Sequence, residues 1–137
     1  MPAAYVAASF RHYEQAQAMQ RALALLDLRI TSSWADQAET SMGLEDLESM
    51  SVADRTRVYM ANDAALERAD IVVVLASEGA RETFAEARLA IHWGKLVVWV
   101  GSPKPLSAWR FGVVRCETAE LALAFLEGYL GPKRRAI

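Results

Sequence analysis

The chain runs to 137 residues, carries 15 Lys and Arg against 17 Asp and Glu for a formal charge of −2, and is 53% apolar. That length fits one domain of roughly 100 to 200 residues, and the apolar share supplies a core, which excludes both a two-domain protein and a disordered tail. The near-neutral balance lacks the broad basic surface that non-specific nucleic-acid binding relies on, so a nucleic acid polymer is not an expected partner.

In chain order, residues 4–9 (AYVAAS) form a short apolar run ending on a small polar residue, which predicts a strand. A helix follows over 11–27, where Ala16, Met19, Leu23 and Leu26 recur at spacings of three and four while Glu14, Gln17 and Arg21 take the other face. Residues 28–34 (LRITSSW) alternate and are rich in β-branched side chains, predicting a second strand that ends at Trp34. Over 35–50, Gly43 sits among Asp, Glu and Ser with no period, and the stretch reads as a mobile loop or lid. Ser51, with Asp54 three residues on, marks the N-cap of a helix running to about Ala69. Residues 70–76 (DIVVVLA) are a continuous β-branched run of the kind buried on both faces of a parallel sheet. A helix over 82–93 closes on Gly94, residues 96–100 (LVVWV) make a fourth strand, and 101–105 turn the chain. A weaker fifth strand is expected at 112–116, a last helix at 118–130, and a solvated basic tail over 131–137.

Strands alternating with helices imply right-handed crossovers and helices on both faces of a parallel sheet. The expected architecture is a flavodoxin- or Rossmann-like three-layer α/β sandwich, one domain over 1–130, with a five-stranded parallel sheet in the order 2-1-3-4-5. In such a sheet ligands sit beyond the carboxyl ends of the strands where the order reverses, here at the loops after Ser9 and Ala76.

Several chemistries drop out. The glycines form neither G-x-G-x-x-G nor a Walker A loop, and there is no G-x-S-x-G elbow. Cys116 is the only cysteine, and His12 and His92 lie outside any metal-ligand spacing, so neither an internal disulfide nor a metal is expected. No apolar run approaches the roughly 20 residues that span a bilayer, and no charged segment precedes an apolar one at the start; the expectation is a cytoplasmic protein with no membrane partner.

Two carboxylates stand out. The helical neighbours of Glu86 at three and four residues are Glu82, Thr83, Leu89 and Ala90, none of them a cation. A carboxylate so placed on a largely apolar helix is partly desolvated, which raises both its pKa and its nucleophilicity. Asp63 repeats the pattern among Tyr59, Met60, Leu66 and Glu67. The structural alternative for each is an arginine from elsewhere, or plain solvent. Ser9, Arg11 and His12 suit a phosphate at a helix start, the alternative being an N-capping Ser9 beside a solvated Arg11. Tyr5 inside the first strand reads as core. Trp34 suits stacking on a planar base or a core role, and Trp93, Trp99 and Trp109 are assigned to core or subunit contact. Four tryptophans in so short and apolar a chain predict a homo-oligomer, a dimer at least.

The segments that carry these residues resemble the nucleoside 2-deoxyribosyltransferase family and its relatives, the 2′-deoxynucleoside 5′-monophosphate N-glycosidases, over residues 5–126. Y-V-A-A-S-F-R at 5–11 resembles the family's opening Tyr-x-x-x-Ser/Pro-x-Arg/Phe, and I-T-S-S-W at 30–34 resembles the strand-two ending of phage-linked members. N-D-A-A-L-E-R-A-D-I-V-V-V at 62–74 resembles Asp-x-x-x-Leu-x-x-Ala-Asp-Val-Val-Val. E-A-R-L-A-I-H-W-G-K-L-V-V at 86–98 is similar to Glu-Leu-Gly-Tyr-Ala-x-Ala-x-Gly-Lys-Pro-Val. The resemblance implies Glu86 as nucleophile, Asp63 as the aspartate assisting the departing base, Tyr5 as the tyrosine orienting Glu86, and Ser9 and Arg11 as sugar and phosphate contacts. It implies cleavage of the N-glycosidic bond of (deoxy)nucleosides or their 5′-monophosphates through a covalent glycosyl-Glu86, without metal or organic cofactor. Hydrolysis is favoured over transfer because Arg11 brings a fixed positive charge. The chain departs from the family at Arg88 and Leu89, which replace Gly-Tyr; Arg88 crowds the sugar site, pairs with a carboxylate, or reaches a phosphate. Residues 78–85 also lack the family's Gly-rich turn. The same pocket without catalysis makes a nucleotide or nucleotide-sugar binding protein.

Overall fold

Strands and helices alternate along the chain in the computed structural model, which describes residues 1–35, 49–105 and 112–135. The order is β1 (Ala3–Ala7), a 3₁₀ turn (Phe10–His12) running into α1 (Tyr13–Leu25), β2 (Arg29–Ile30), α2 (Val52–Arg68), β3 (Ile71–Leu75), α3 (Arg81–His92), β4 (Leu96–Val100), β5 (Val113–Cys116) and α4 (Ala119–Arg135). All neighbouring strands pair in parallel, in the order β2-β1-β3-β4-β5. α1 packs against α4 and α2 against α3, so two helices cover each face. This is the flavodoxin- or Rossmann-like three-layer α/β sandwich. Among the described residues no helix is long and apolar enough to cross a membrane.

The central strands are buried on both faces, as their unbroken apolar runs require: β1 is hidden along its whole length, and Val72, Val73, Val74, Val97 and Val98 are fully covered. The helices present the stripes read from their spacing. Ala16, Met19 and Leu23 of α1 are buried, and Ala87 and Ala90 of α3 lie flat on the sheet. At the end of α3, Gly94 takes a φ of 73°, its N–H donates to Ile91 O and that of Lys95 to Ala90 O, a Schellman closure. The Lys95 ammonium then reaches the end of α2, donating to the carbonyls of Glu67 (2.7 Å) and Ala69 (2.5 Å). A cation there meets the negative end of the helix dipole and fixes α2 beside α3. Ser51 caps the other end of α2 by accepting from the Asp54 N–H at 3.1 Å.

Two expectations need correction. The second strand is two residues long rather than seven, because side chains complete the edge of β1 in its place. The Val6 N–H donates to Ser32 Oγ (3.1 Å), the Trp34 indole N–H donates to the Val6 carbonyl (2.8 Å), and the Ser32 hydroxyl donates to Gln20 Oε1 (2.8 Å). Gln20, a polar residue buried on the inner face of α1, exists to receive that hydrogen bond. Ser32→Ala leaves the Val6 N–H and the Gln20 carbonyl buried and unpaired; the expected cost is about 1 to 3 kcal/mol in urea unfolding, with the m-value unchanged. The last helix does not stop at 130 but continues to Arg135 through Gly131 and Pro132. Trp34 and Trp99 are buried inside the chain, the core role being one of those expected of each, whereas Trp93 is 40% exposed. Trp109 lies outside the described residues, as does 36–48 of the stretch read as a lid.

Candidate active site at the carboxyl edge of the sheet

Strand order reverses between β1 and β3, so the connections leaving their carboxyl ends diverge and open a crevice. It forms a cavity of about 600 Å³, within the range of small-molecule sites. Residues 8–12 after β1, Trp34, the α2 residues Tyr59, Asn62 and Asp63, the 77–80 loop after β3 and one side of α3 line it.

Glu86 faces this space because of its place on α3. Thr83, Ala87 and Ala90 are pressed onto the sheet, and the residues beside that stripe, Glu82, Glu86 and Leu89, turn towards the cavity. The residue as a whole is half-buried, but its Oε2 is sealed from solvent and has no hydrogen-bond partner. Burial pushes its carboxyl up to about 7; the nearby Tyr5 hydroxyl offsets part of this, and the charges of Asp63 and Glu82 add to it. Among the described residues no ion pair involves Glu86.

Beneath it lies Tyr5, fully buried in β1. Its phenol is held well above its usual pKa by burial first, then by the charge of Glu86. The two groups act on one another electrostatically, yet among the described residues neither the Tyr5 hydroxyl nor Glu86 Oε2 attains hydrogen-bond geometry with a partner. Ser77 Oγ, in the loop after β3, is the remaining buried side-chain oxygen without a partner among the described residues. Buried polar groups left unpaired cost about 1 to 3 kcal/mol each; Ser77 and Glu86 line the cavity, and Tyr5, which is not in the lining, adjoins Glu86.

The other expected site residues divide. Asp63 lines the cavity from α2, is exposed, and acts electrostatically on both Glu86 and Tyr5. Ser9, Arg11 and His12 line it too, and the Ser9 hydroxyl accepts from the Arg11 N–H at 3.4 Å, so the capping role and the site coexist. Trp34 walls the cavity, but it is 3% exposed, tied to Val6 and set edge-on to Phe10 at 5.5 Å, which leaves little open ring for stacking. Arg88 does not join the site. Two residues along a helix turn a side chain by about 200°; Arg88 is exposed and absent from the lining, so it neither crowds the cavity nor pairs with Glu86.

Sequence reasoning missed Ser77, Tyr59, Asn62 and Glu82 as lining residues. Ser77 had one available signal, its place directly after the buried strand; Glu82 had its spacing of four from Glu86. Among the described residues no group of three or more His, Cys, Asp or Glu is placed to hold a metal ion. No family model matches the chain, and no curated protein matches its sequence.

Proposed function

We propose that the protein cleaves the N-glycosidic bond of (deoxy)nucleosides or their 5′-monophosphates, as a hydrolase rather than a transferase, through a covalent ester on Glu86. The observation that carries this reading is Glu86, a carboxylate that lines a cavity of about 600 Å³ while its Oε2 is buried and unpaired among the described residues. The motif resemblance to the nucleoside 2-deoxyribosyltransferases puts its nucleophile, aspartate and tyrosine on Glu86, Asp63 and Tyr5, which share this corner.

In the first step Glu86 attacks C1′ as the bond to the base breaks, and Asp63 assists the departing base by proton donation or hydrogen bonding. Positive charge develops on the sugar in the transition state. A poorly solvated carboxylate supported by Asp63 and Glu82 is a strong electrostatic stabiliser of that charge. Water then releases the sugar from Glu86. Arg11, in the loop after β1, lines the cavity and is the contact available to a 5′-phosphate, which the acids Asp63, Glu78 and Glu82 of the same lining oppose. We place the reaction in the cytoplasm and in a homodimer or larger oligomer. Support for the latter comes from Val52, Met60 and Trp93, which are 71%, 64% and 40% exposed; a monomer by light scattering at micromolar concentration overturns it.

The test is incubation with a panel of nucleosides and 5′-monophosphates followed by chromatography for free base. Binding that raises the melting temperature without any base release makes this a nucleotide-binding protein instead. Because the nucleophile must be ionised, kcat/KM is expected to fall by one proton as the pH drops through about 7, the position to which burial raises Glu86. Tyr5→Phe removes the hydroxyl that eases this ionisation, so the limb is expected to move to higher pH. A profile flat from pH 5 to 9, or a limb shifting the other way, contradicts these assignments.

A further inference from the structure

We infer that the cavity selects N-glycosides whose base carries a positive charge, such as a pyridinium nucleoside, over their neutral and 5′-phosphorylated counterparts. The inference rests on the N-glycosidase reading and narrows its substrate.

The lining is acidic where the reaction would take place. Glu86 shares it with Asp63, Glu78 and Glu82, against the guanidiniums of Arg11 and Arg81 and the imidazole of His12. The distribution matters more than the count. Asp63 approaches from α2 and Glu82 from the preceding turn of α3, and these two, both of its own sign, are the charges that act on Glu86. Arg11 and Arg81 are exposed residues of the lining, as are Asp63, Glu78 and Glu82, but neither arginine is among the charges that act on Glu86. Beside the composition of the lining stands the orphaned Glu86 Oε2, a buried acceptor on a carboxylate that forms no ion pair among the described residues. A positively charged ring entering the cavity supplies what this carboxylate lacks.

Charge on the ligand also sets the state of the nucleophile. A cation beside Glu86 favours its ionised form and readies it for attack, whereas a phosphate dianion in the same space favours the protonated, unreactive form. The chemistry then balances without a proton donor for the leaving group. As a Glu86 oxygen bonds to C1′, the C1′–N bond breaks and its electron pair passes to the ring nitrogen, which becomes neutral. Water subsequently attacks C1′, its proton goes to solvent through the exposed Asp63, and Glu86 leaves as the free carboxylate.

The experiment uses nicotinamide riboside, a permanent cation, its neutral dihydro form, and its 5′-monophosphate. Affinities are measured by calorimetry on the wild type with the carbocyclic analogues of the three, in which a CH₂ in place of the sugar ring oxygen makes the bond to the base stable, so that binding is read apart from the lability of a cationic leaving group. Nicotinamide release is measured on the wild type. The cation is expected to bind about tenfold more tightly than the dihydro form, and the monophosphate more weakly than the cation, with the gap closing at high salt. Glu82→Gln is expected to narrow the gap further. If the neutral form binds as well as the cation, or the monophosphate binds or turns over best, charge selection is overturned while the N-glycosidase reading stands. If the cation is preferred in binding but no base is freed from any nucleoside or nucleotide, selection stands and the N-glycosidase reading falls.

Discussion

Glu86→Gln is expected to lower base release by at least about a thousandfold while leaving the affinity for substrate within about tenfold of the wild type. The amide keeps the shape of the side chain beside Tyr5 but cannot form the glycosyl ester. Acid-quenched wild-type protein should gain the mass of one deoxyribosyl or ribosyl group, located on the peptide containing Glu86, and the variant should gain none. Glu86→Ala supplies a sharper version. It opens space next to C1′, and millimolar azide should restore part of the rate by attacking in place of the missing carboxylate, giving a glycosyl azide. A variant that retains a tenth of the activity, or an adduct on another residue, removes Glu86 from the nucleophile's role. Asp63→Asn is expected to be milder, because Asp63 is exposed and assists departure of the base rather than bonding to carbon.

The sheet was legible because its central strands are buried on both faces and so read as unbroken apolar runs; 70–76 admits few other interpretations. The edge was not. Past Ile30 the chain leaves the sheet, yet Ser32 and Trp34 still serve the backbone of Val6, so a strand-like alternation persists without a strand. The same blind spot hid Gln20, whose polarity on a buried stripe makes sense only once Ser32 is known to stand opposite it. In the site, helical spacing could exclude a cation on the helix of Glu86 itself, but not foretell that Tyr5 and Asp63 reach it from β1 and α2. Tyr5 could not be told from a core tyrosine, because what distinguishes it is an unpaired hydroxyl facing a residue 81 positions away. Arg88 misled for the opposite reason: adjacency in sequence suggested contact that the helical turn forbids.

At pH 8 Glu86→Gln is expected to unfold at a higher temperature than the wild type. Burial raises the Glu86 carboxyl from 4.5 to about 7, so between those values the native protein holds a proton that the unfolded chain releases. Native stability therefore falls as the pH rises through this window and levels off above about 7, while below about 4.5 the carboxyl is protonated in both states and contributes nothing. The full shift corresponds to about 3 kcal/mol, on the order of 10 °C for a domain of this size. Glutamine never ionises, so the difference between variant and wild type should be small at pH 4, grow through pH 5 to 7, and reach a plateau by pH 8. Equal melting temperatures across this range, or a variant less stable at pH 8, mean that the carboxylate finds a cation in solution. A carboxylate kept for structure loses stability when it is neutralised. One kept in a poorly solvated position for attack on carbon gains stability as it loses activity, and both halves of that exchange are measurable on the same substitution.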